Sequence, residues 1–309
     1  MKTKNTSAVL TIENQATPSI RHKKIKRFFR KLLHRSNLIL LEILTFVLLI
    51  AFFTPMLIVF INAAKTKAEI DASAIGLPSD WLQFFVNAQT VMTAPTVKYF
   101  SSFMNSLIIT SGSLVVIGIC SAMAAWVLVR TKKKYSNFIF LFFVSGLVIP
   151  FQVVMLPLVR LLDIIRLADT YIGVILVYLG FGAPLSVFMF HGFMKSIPID
   201  IEEAATIDGC SKTQMFFKVI LPILKPIFVT LLILNGLWIW NDYLLPSLVI
   251  GIGGAKQTLP LAVANLVGSF VKQWDLQMTA VLLAAIPVII LFLFAQKYII
   301  KGMTSGAIK

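Results

Sequence analysis

Six apolar runs, each long enough to cross a bilayer as a helix, leave this chain few alternatives. A membrane helix needs about 20 mostly apolar residues to cover the ~30 Å hydrocarbon core. The runs are Leu38–Ala64, Phe103–Val129, Phe138–Leu158, Tyr171–Phe193, Val219–Trp240 and Met278–Ile300. A chain that is 58% hydrophobic and 13% charged, with a mean hydropathy of +0.88, has lipid as its main solvent. The expectation is an all-α integral membrane protein with six transmembrane helices. Pro55, Pro150, Pro184, Pro222 and Pro287 fall inside the runs. Membrane helices tolerate such residues when neighbouring groups satisfy the freed carbonyls.

Charge gives the orientation. The net charge of +15 raises the question of nucleic acid, but the basic residues cluster beside apolar runs, which is how membrane orientation is specified. With both termini on one side, that side holds 20 of the 28 Lys and Arg residues and the opposite side 7, with Lys225 just inside the fifth run. The richer side faces the cytoplasm, so both termini are expected there. Residues 1–37 form a basic cytoplasmic tail and residues 38–309 a transmembrane domain. RHKKIKRFFRKLLHR is not followed by a short apolar region with a small-residue cleavage site, so the tail reads as uncleaved and lying on anionic lipid headgroups.

Energy supply is constrained by what the runs omit. Glu42 and Lys225 are the only acidic or basic residues well inside them. No Asp, Glu, Lys or His relay crosses the middle, where proton- or sodium-driven carriers place such groups. The one approximation to a phosphate-binding loop, GIGGAKQT at Gly251–Thr258, has the wrong spacing. Cys120 and Cys210 suggest no disulfide, and His22, His34 and His191 have no ligand spacing, so neither a metal nor a cofactor is expected. Uphill transport by such a chain draws its energy from another subunit.

One cytoplasmic segment, residues 196–216, is unlike the rest. IEEAATIDGCSKTQMFFKVILP, from Ile201 to Pro222, places acids and small residues between two apolar runs. Pro198 suits a first helical turn, and Asp200, Glu202 and Glu203 suit the positive end of the helix dipole. Gly209 suits a left-handed C-cap, and Ser211 with Gln214 forms a capping box opening a second helix. A short helix, a glycine hinge and a helix continuing into the fifth run can dock on a soluble partner and pass motion to that run. An amphipathic helix lying on lipid is the alternative, which three acids near anionic headgroups oppose.

These residues resemble a known family. Glu203, Ala204, Ala205 and Gly209, followed by Val219, Leu221 and Pro222, match the EAA signature of ABC importer permeases, with Val219 in a position usually held by Ile. IPIDIEEAATIDGCS, WNDYLLP and the ending KGMTSGAIK are similar to its MalG-like carbohydrate branch. The resemblance covers nearly all of the chain after Leu38. It implies the type I importer (MetI-like) permease fold, a five-helix core preceded by one added helix, in a prokaryotic cytoplasmic membrane. It also implies a second homologous permease, two cytoplasmic ATPases that carry ATP and Mg, and an extracellular binding protein that delivers the carbohydrate, an oligosaccharide. The chain itself would be non-catalytic. Glu203 would contact the ATPase, with Ala204 and Ala205 packed in its groove beside Asp208, and Gly209 would allow the turn.

Residues suited to meeting a sugar lie near the outer ends of the spans. Asn235, Trp238 and Asp242 fall at i, i+3 and i+7 on one face of the fifth run, with Asn241 beside them. Asn105 and Gln152 are further candidates. The stronger alternative is that Trp238, Trp240 and Tyr243 belong to an interfacial aromatic belt, which is expected at this depth. Two other functions are compatible with six apolar runs. One is a self-sufficient channel or secondary carrier, which the charge-free spans disfavour. The other is a membrane scaffold that recruits a soluble protein through the 196–216 segment.

Overall fold

The computed structural model describes residues 17–131, 133–251, 253–266 and 273–307, so the first 16 residues of the expected basic tail lie outside it. Contacts divide the chain into residues 1–58 and 59–309. Helix α1 (Thr17–Ala63), which makes up the described part of the first unit and ends beyond it, runs unbroken past Leu38. Its hydroxyls fold back on the helix, Thr45 to the Leu41 carbonyl and Thr54 to Ile50, both at 2.7 Å. This satisfies polar groups where lipid offers no partner.

The second unit is built from α2 (Lys67–Ala72), α3 (Gln83–Thr93), α4 (Tyr99–Arg130), α5 (Lys134–Ser145), α6 (Phe151–Ile164) and α7 (Tyr171–Met194). Next in the chain come α8 (Asp200–Ile207), α9 (Lys212–Met215), a π-helical turn (Phe216–Ile220), α10 (Leu221–Ile223) and α11 (Lys225–Asn241). The set closes with α12 (Leu244–Val249), α13 (Leu259–Asn265) and α14 (Trp274–Ala307). The most extensive pairing joins α4 to α7. Helices in lipid gain no hydrophobic drive from meeting each other, so close approach depends on small residues. The buried face of α4 accordingly carries Ser102, Ser106, Ser113, Gly118, Ser121, Ala122 and Ala125, and that of α7 carries Gly182, Ala183 and Ser186.

Among the described residues, three helices are long and apolar enough to span a membrane, Leu38–Ala63, Tyr99–Arg130 and Tyr171–Met194. Lys212–Ile223 with Lys225–Asn241, bent by 78°, makes a fourth if taken together. The expected sixth span lies within α14, whose described apolar stretch is Trp274–Ile290. The expected third span, Phe138–Leu158, is corrected. It is not one helix but α5 and α6, of 12 and 14 residues, separated by residues 146–150. Pro150 has no N–H for the helical ladder and forces Ile149 away from helical geometry, so a new helix starts after it. Gly146, at the break, packs against the Pro184 ring of α7.

Pro287 is handled differently, because partners are available. Its missing N–H frees the Leu283 carbonyl, which accepts from the Tyr99 hydroxyl at 3.1 Å. The adjacent Ala284 carbonyl accepts from Trp240 Nε1 at 3.4 Å. Helix α14 stays continuous and is tied to α4 and α11 at its weak point.

The end of the bundle away from Arg130 is closed by polar ties. Lys65 is 1% exposed, and its Nζ donates to Asn62 Oδ1 and the Ser73 carbonyl. Glu69 accepts from Thr66 and Ser79. The Ser79 hydroxyl, foremost among these donors, holds its carboxyl down at about 2. The segment 255–266 folds back over α4. Gln257 Nε2 donates to the Thr96 and Val97 carbonyls, Asn105 Nδ2 donates to the carbonyls of Ala255 and Gln257, and the Leu259 amide donates to Ser106 Oγ.

The start of α7 permits a sharp stability prediction. The Thr170 side chain caps the helix by accepting from the Gly173 amide at 2.9 Å, and a Cβ built on Gly173 would lie 2.1 Å from the Leu167 carbonyl oxygen. Backbone has little room to yield there. Gly173→Ala is expected to lose about 1–3 kcal/mol by overpacking, read as a lower thermal unfolding midpoint in detergent. An unchanged midpoint contradicts the packing described.

Candidate functional site

Helix α8 is short, and its ends are closely defined. It begins at Asp200, not at Pro198 as the sequence suggested. The Glu202 and Glu203 amides both donate to the Ile199 carbonyl, which leaves Pro198 before the first turn. Asp200, Glu202 and Glu203 occupy that turn, where the exposed amides and the dipole favour negative charge. At the other end Cys210 N–H reaches the Ala205 carbonyl and Gly209 N–H the Thr206 carbonyl, both at 3.0 Å. This pair of bonds is a Schellman motif, and it requires a left-handed residue between them. Gly209 supplies it with φ +80°.

Beyond Gly209 the chain forms a jointed connector. Ser211 caps α9 with the expected capping box, accepting from Gln214 N–H while the Gln214 side chain accepts from Ser211 N–H. A π-helical turn over Phe216–Ile220 comes next. The chain then bends by 78° into α11, with Pro222 and Pro226 on either side of the bend at Leu224. Lys225, expected just inside the fifth span, is the exposed first residue of α11.

The two faces of α8 differ. Glu203, Ala204, Ile207 and Asp208 are exposed, Ile207 at 86%. Ala205 is buried in the chain's own core with Ile197, Met215, Phe216 and Leu224. The expectation that Ala204 and Ala205 share one outward surface is therefore corrected. They differ by about 100° around a helix, and only Ala204 is left for an external partner. Ile207, which the sequence pattern does not single out, is the most exposed apolar side chain of this face.

Glu202 is also missed as an individual by sequence reasoning. Its Oε1 accepts from Arg130 Nε at 2.6 Å and its Oε2 from Trp126 Nε1 at 3.0 Å. Arg130 Nη2 also donates to the Ile197 carbonyl at 3.0 Å. Trp126 and Arg130 are one turn apart on the last stretch of α4. That spacing, with two adjacent glutamates on a small helix, is a legible signal that one acid points inward. A cavity of about 450 Å³ opens beside this cluster, lined by Trp126, Arg130, Glu202, Glu203, Lys212 and Met215 among others.

The candidate solute-contacting residues divide. Asn235 is buried, its Nδ2 donating to Ser186 Oγ at 3.2 Å and to the Leu231 carbonyl at 3.0 Å. Asn105 is buried too, and its oxygen accepts from Tyr171 OH while its nitrogen holds the 255–257 segment. Its polar atoms are engaged in tying that segment down. Gln152, exposed in the first turn of α6, belongs to neither group. Trp238 is 41% exposed and packs edge-on to the Tyr178 ring, centroids 5.5 Å apart. Tyr178 is fully buried and donates its hydroxyl to Asp242 Oδ2 at 3.1 Å. The other Asp242 oxygen accepts from the Leu244 and Leu245 amides, fixing the start of α12. Asn241 is exposed and donates to the Leu237 carbonyl. His191 is buried and stacked on Phe140, centroids 3.8 Å apart.

Residues 114–305 match the family described as binding-protein-dependent transport system inner membrane component. A probable starch degradation products transport system permease protein, AmyC of Thermoanaerobacterium thermosulfurigenes, is 40% identical over 270 residues, covering 87% of this chain and 96% of that protein. Among solved structures, the chain resembles one of a bacterial ABC transporter that imports the acidic polysaccharide alginate. The TM-score is 0.72 at 19% identity, with 85% of this chain and 96% of the other covered. A second structure of a bacterial alginate transporter, in complex with an alginate pentasaccharide-bound periplasmic protein, matches with a TM-score of 0.62 at 17% identity over 86% and 94% of the two chains. The structural likeness establishes the MetI-like permease fold, and the family match over residues 114–305 takes in the α8 segment, α7, α11 and the second half of α4. This chain is therefore a multi-pass membrane protein belonging to the family of binding-protein-dependent transport system inner membrane components.

Proposed function

We propose that the chain is the permease subunit of an ATP-driven importer of carbohydrate. In this reading it lines half of the translocation path, and its α8 docks on a cytoplasmic ATPase. The observation that carries the reading is the exposed acidic and apolar face of α8, closed by Gly209 and seated on the bundle through Glu202 and Ala205. The family and the names of its relatives support carbohydrate as the solute class and a binding protein as its donor. A second permease completes the path, two ATPases carry ATP and Mg, and the chain itself catalyses nothing. Both termini and α8 face the cytoplasm, by the distribution of Lys and Arg.

The test is co-purification with the second permease and the ATPases, followed by ATP hydrolysis in nanodiscs. Sugar-loaded binding protein is expected to stimulate hydrolysis. A purified chain that retains no ATPase while expressed with it contradicts the reading.

Trp238 is the best candidate for the solute path. Its exposed indole offers a stacking face for a sugar ring, and the buried Tyr178, held by Asp242, packs edge-on against it. Trp238→Ala is expected to reduce uptake about tenfold, the equivalent of one lost stacking contact, with ATPase retention unchanged. Uptake at the wild-type rate removes Trp238 from the path.

A further inference from the structure

Besides the direct chain from α7 over residues 195–199 and the apolar packing around Ala205, two routes connect α8 to the membrane-spanning bundle. The covalent route to α11 passes Gly209 at φ +80°, a π-helical turn at Phe216–Ile220 and a 78° bend between Pro222 and Pro226. Positive-φ glycines and π-turns are where chains flex or are re-aimed. The non-covalent route is the Glu202 carboxylate. Both of its oxygens are engaged by α4, one by Arg130 Nε at 2.6 Å and the other by Trp126 Nε1 at 3.0 Å.

The same guanidinium also grips the Ile197 carbonyl just before α8. The Arg130 and Glu202 side chains are only 19% and 10% exposed, so solvent screens the pair little. Charge-assisted bonds of this length are the strong and directional kind. Helix α4 then runs 32 residues without a break, packed along α7.

We infer that Glu202 and Arg130 are positioning residues that make α8 and α4 move as one body, so that displacement of α8 enters the bundle through α4 and α7 while the α9–α10 connector to α11 flexes. The inference rests on the proposed function, since it needs a partner that displaces α8. It assigns the two neighbouring glutamates opposite tasks. Glu203 faces the partner, and Glu202 holds the chain's own bundle. It also departs from the simplest reading of the sequence, in which the connector itself drives the fifth span.

The experiment uses the full importer in nanodiscs, with Cys120 and Cys210 replaced and spin labels at exposed positions. Labels at Thr206 and Met123 report α8 against α4, and labels at Thr206 and Leu234 report α8 against α11. Upon trapping with ATP, the Thr206–Met123 distance is expected to hold while the Thr206–Leu234 distance changes. In Glu202→Gln, the first distance should become ATP-dependent. Uptake per ATP hydrolysed should fall about tenfold, as expected for loss of a charge-assisted pair, with the ATPases still retained. A merely structural role for the pair would lower the amount of folded complex without altering that ratio.

A wild-type Thr206–Met123 distance that changes with ATP overturns the inference, as does a Glu202→Gln complex with an unaltered ratio. If neither distance responds to ATP while the complex still transports, the connector does not flex and the inference falls alone; a complex that neither retains the ATPases nor hydrolyses ATP fails the importer reading itself. If only the first is steady and the variant stays coupled, the importer reading stands and Glu202 is not the link.

Discussion

Glu203→Lys is expected to leave the protein inserted at its normal level while carbohydrate uptake falls about a hundredfold or more. Losing one partner of a desolvated interfacial charge contact costs about 2–5 kcal/mol, and reversing the sign adds repulsion. Glu203 is suited to such a contact because it is exposed in the first turn of α8 and makes no ion pair among the described residues. Its neighbour Glu202 is already engaged by Arg130. Reversal at Glu203 should therefore spare the fold of this chain and strike only what docks against it. The check is uptake in a strain lacking the wild-type chain, with membrane level and ATPase retention measured in parallel. Normal uptake at normal level would exclude a docking role for Glu203.

Gly209→Pro should be as damaging by a different route. Proline fixes φ near −65°, whereas this position sits at +80°. Proline also removes the N–H that reaches the Thr206 carbonyl. Together these are expected to cost about 3 kcal/mol or more locally, enough to unwind an eight-residue helix that has little internal stability of its own. The predicted result is a chain that inserts but neither retains the ATPases nor transports. Gly209→Ala should be milder, since a left-handed non-glycine residue costs about 1–2 kcal/mol. Gly209→Asn should be milder still, because asparagine visits that conformation. An order of Ala, Asn and Pro other than this would mean that the backbone conformation is not what matters there.

Local signals of the α8 segment were legible in the sequence because capping chemistry is local. The Ser211–Gln214 box and the left-handed Gly209 each depend on a few adjacent residues. The apolar runs likewise pointed to the helical membrane fold. Tertiary competition decided the rest. Periodicity could not show that Phe138–Leu158 breaks at residues 146–150, since Pro55, Pro157 and Pro184 sit inside continuous helices and neighbours can supply donors to a freed carbonyl. Tyr99 and Trp240 do this around Pro287, and the chain restarts a helix at Pro150 instead. Nor could spacing alone show which glutamate and which alanine turn inward. That depends on Trp126 and Arg130, more than 70 residues earlier in the chain. For the same reason Asn105 looked like a solute contact, while its polar atoms in fact hold a distant loop.

The permease is expected to conduct only when an ATPase moves it. Uptake of a radiolabelled oligosaccharide into proteoliposomes tests this directly, comparing the complete importer with the purified chain alone. Accumulation is predicted only when the ATPases, ATP on their side of the membrane and the loaded binding protein are all present. Solute entering through the chain alone, with no ATPase in the membrane, would contradict it.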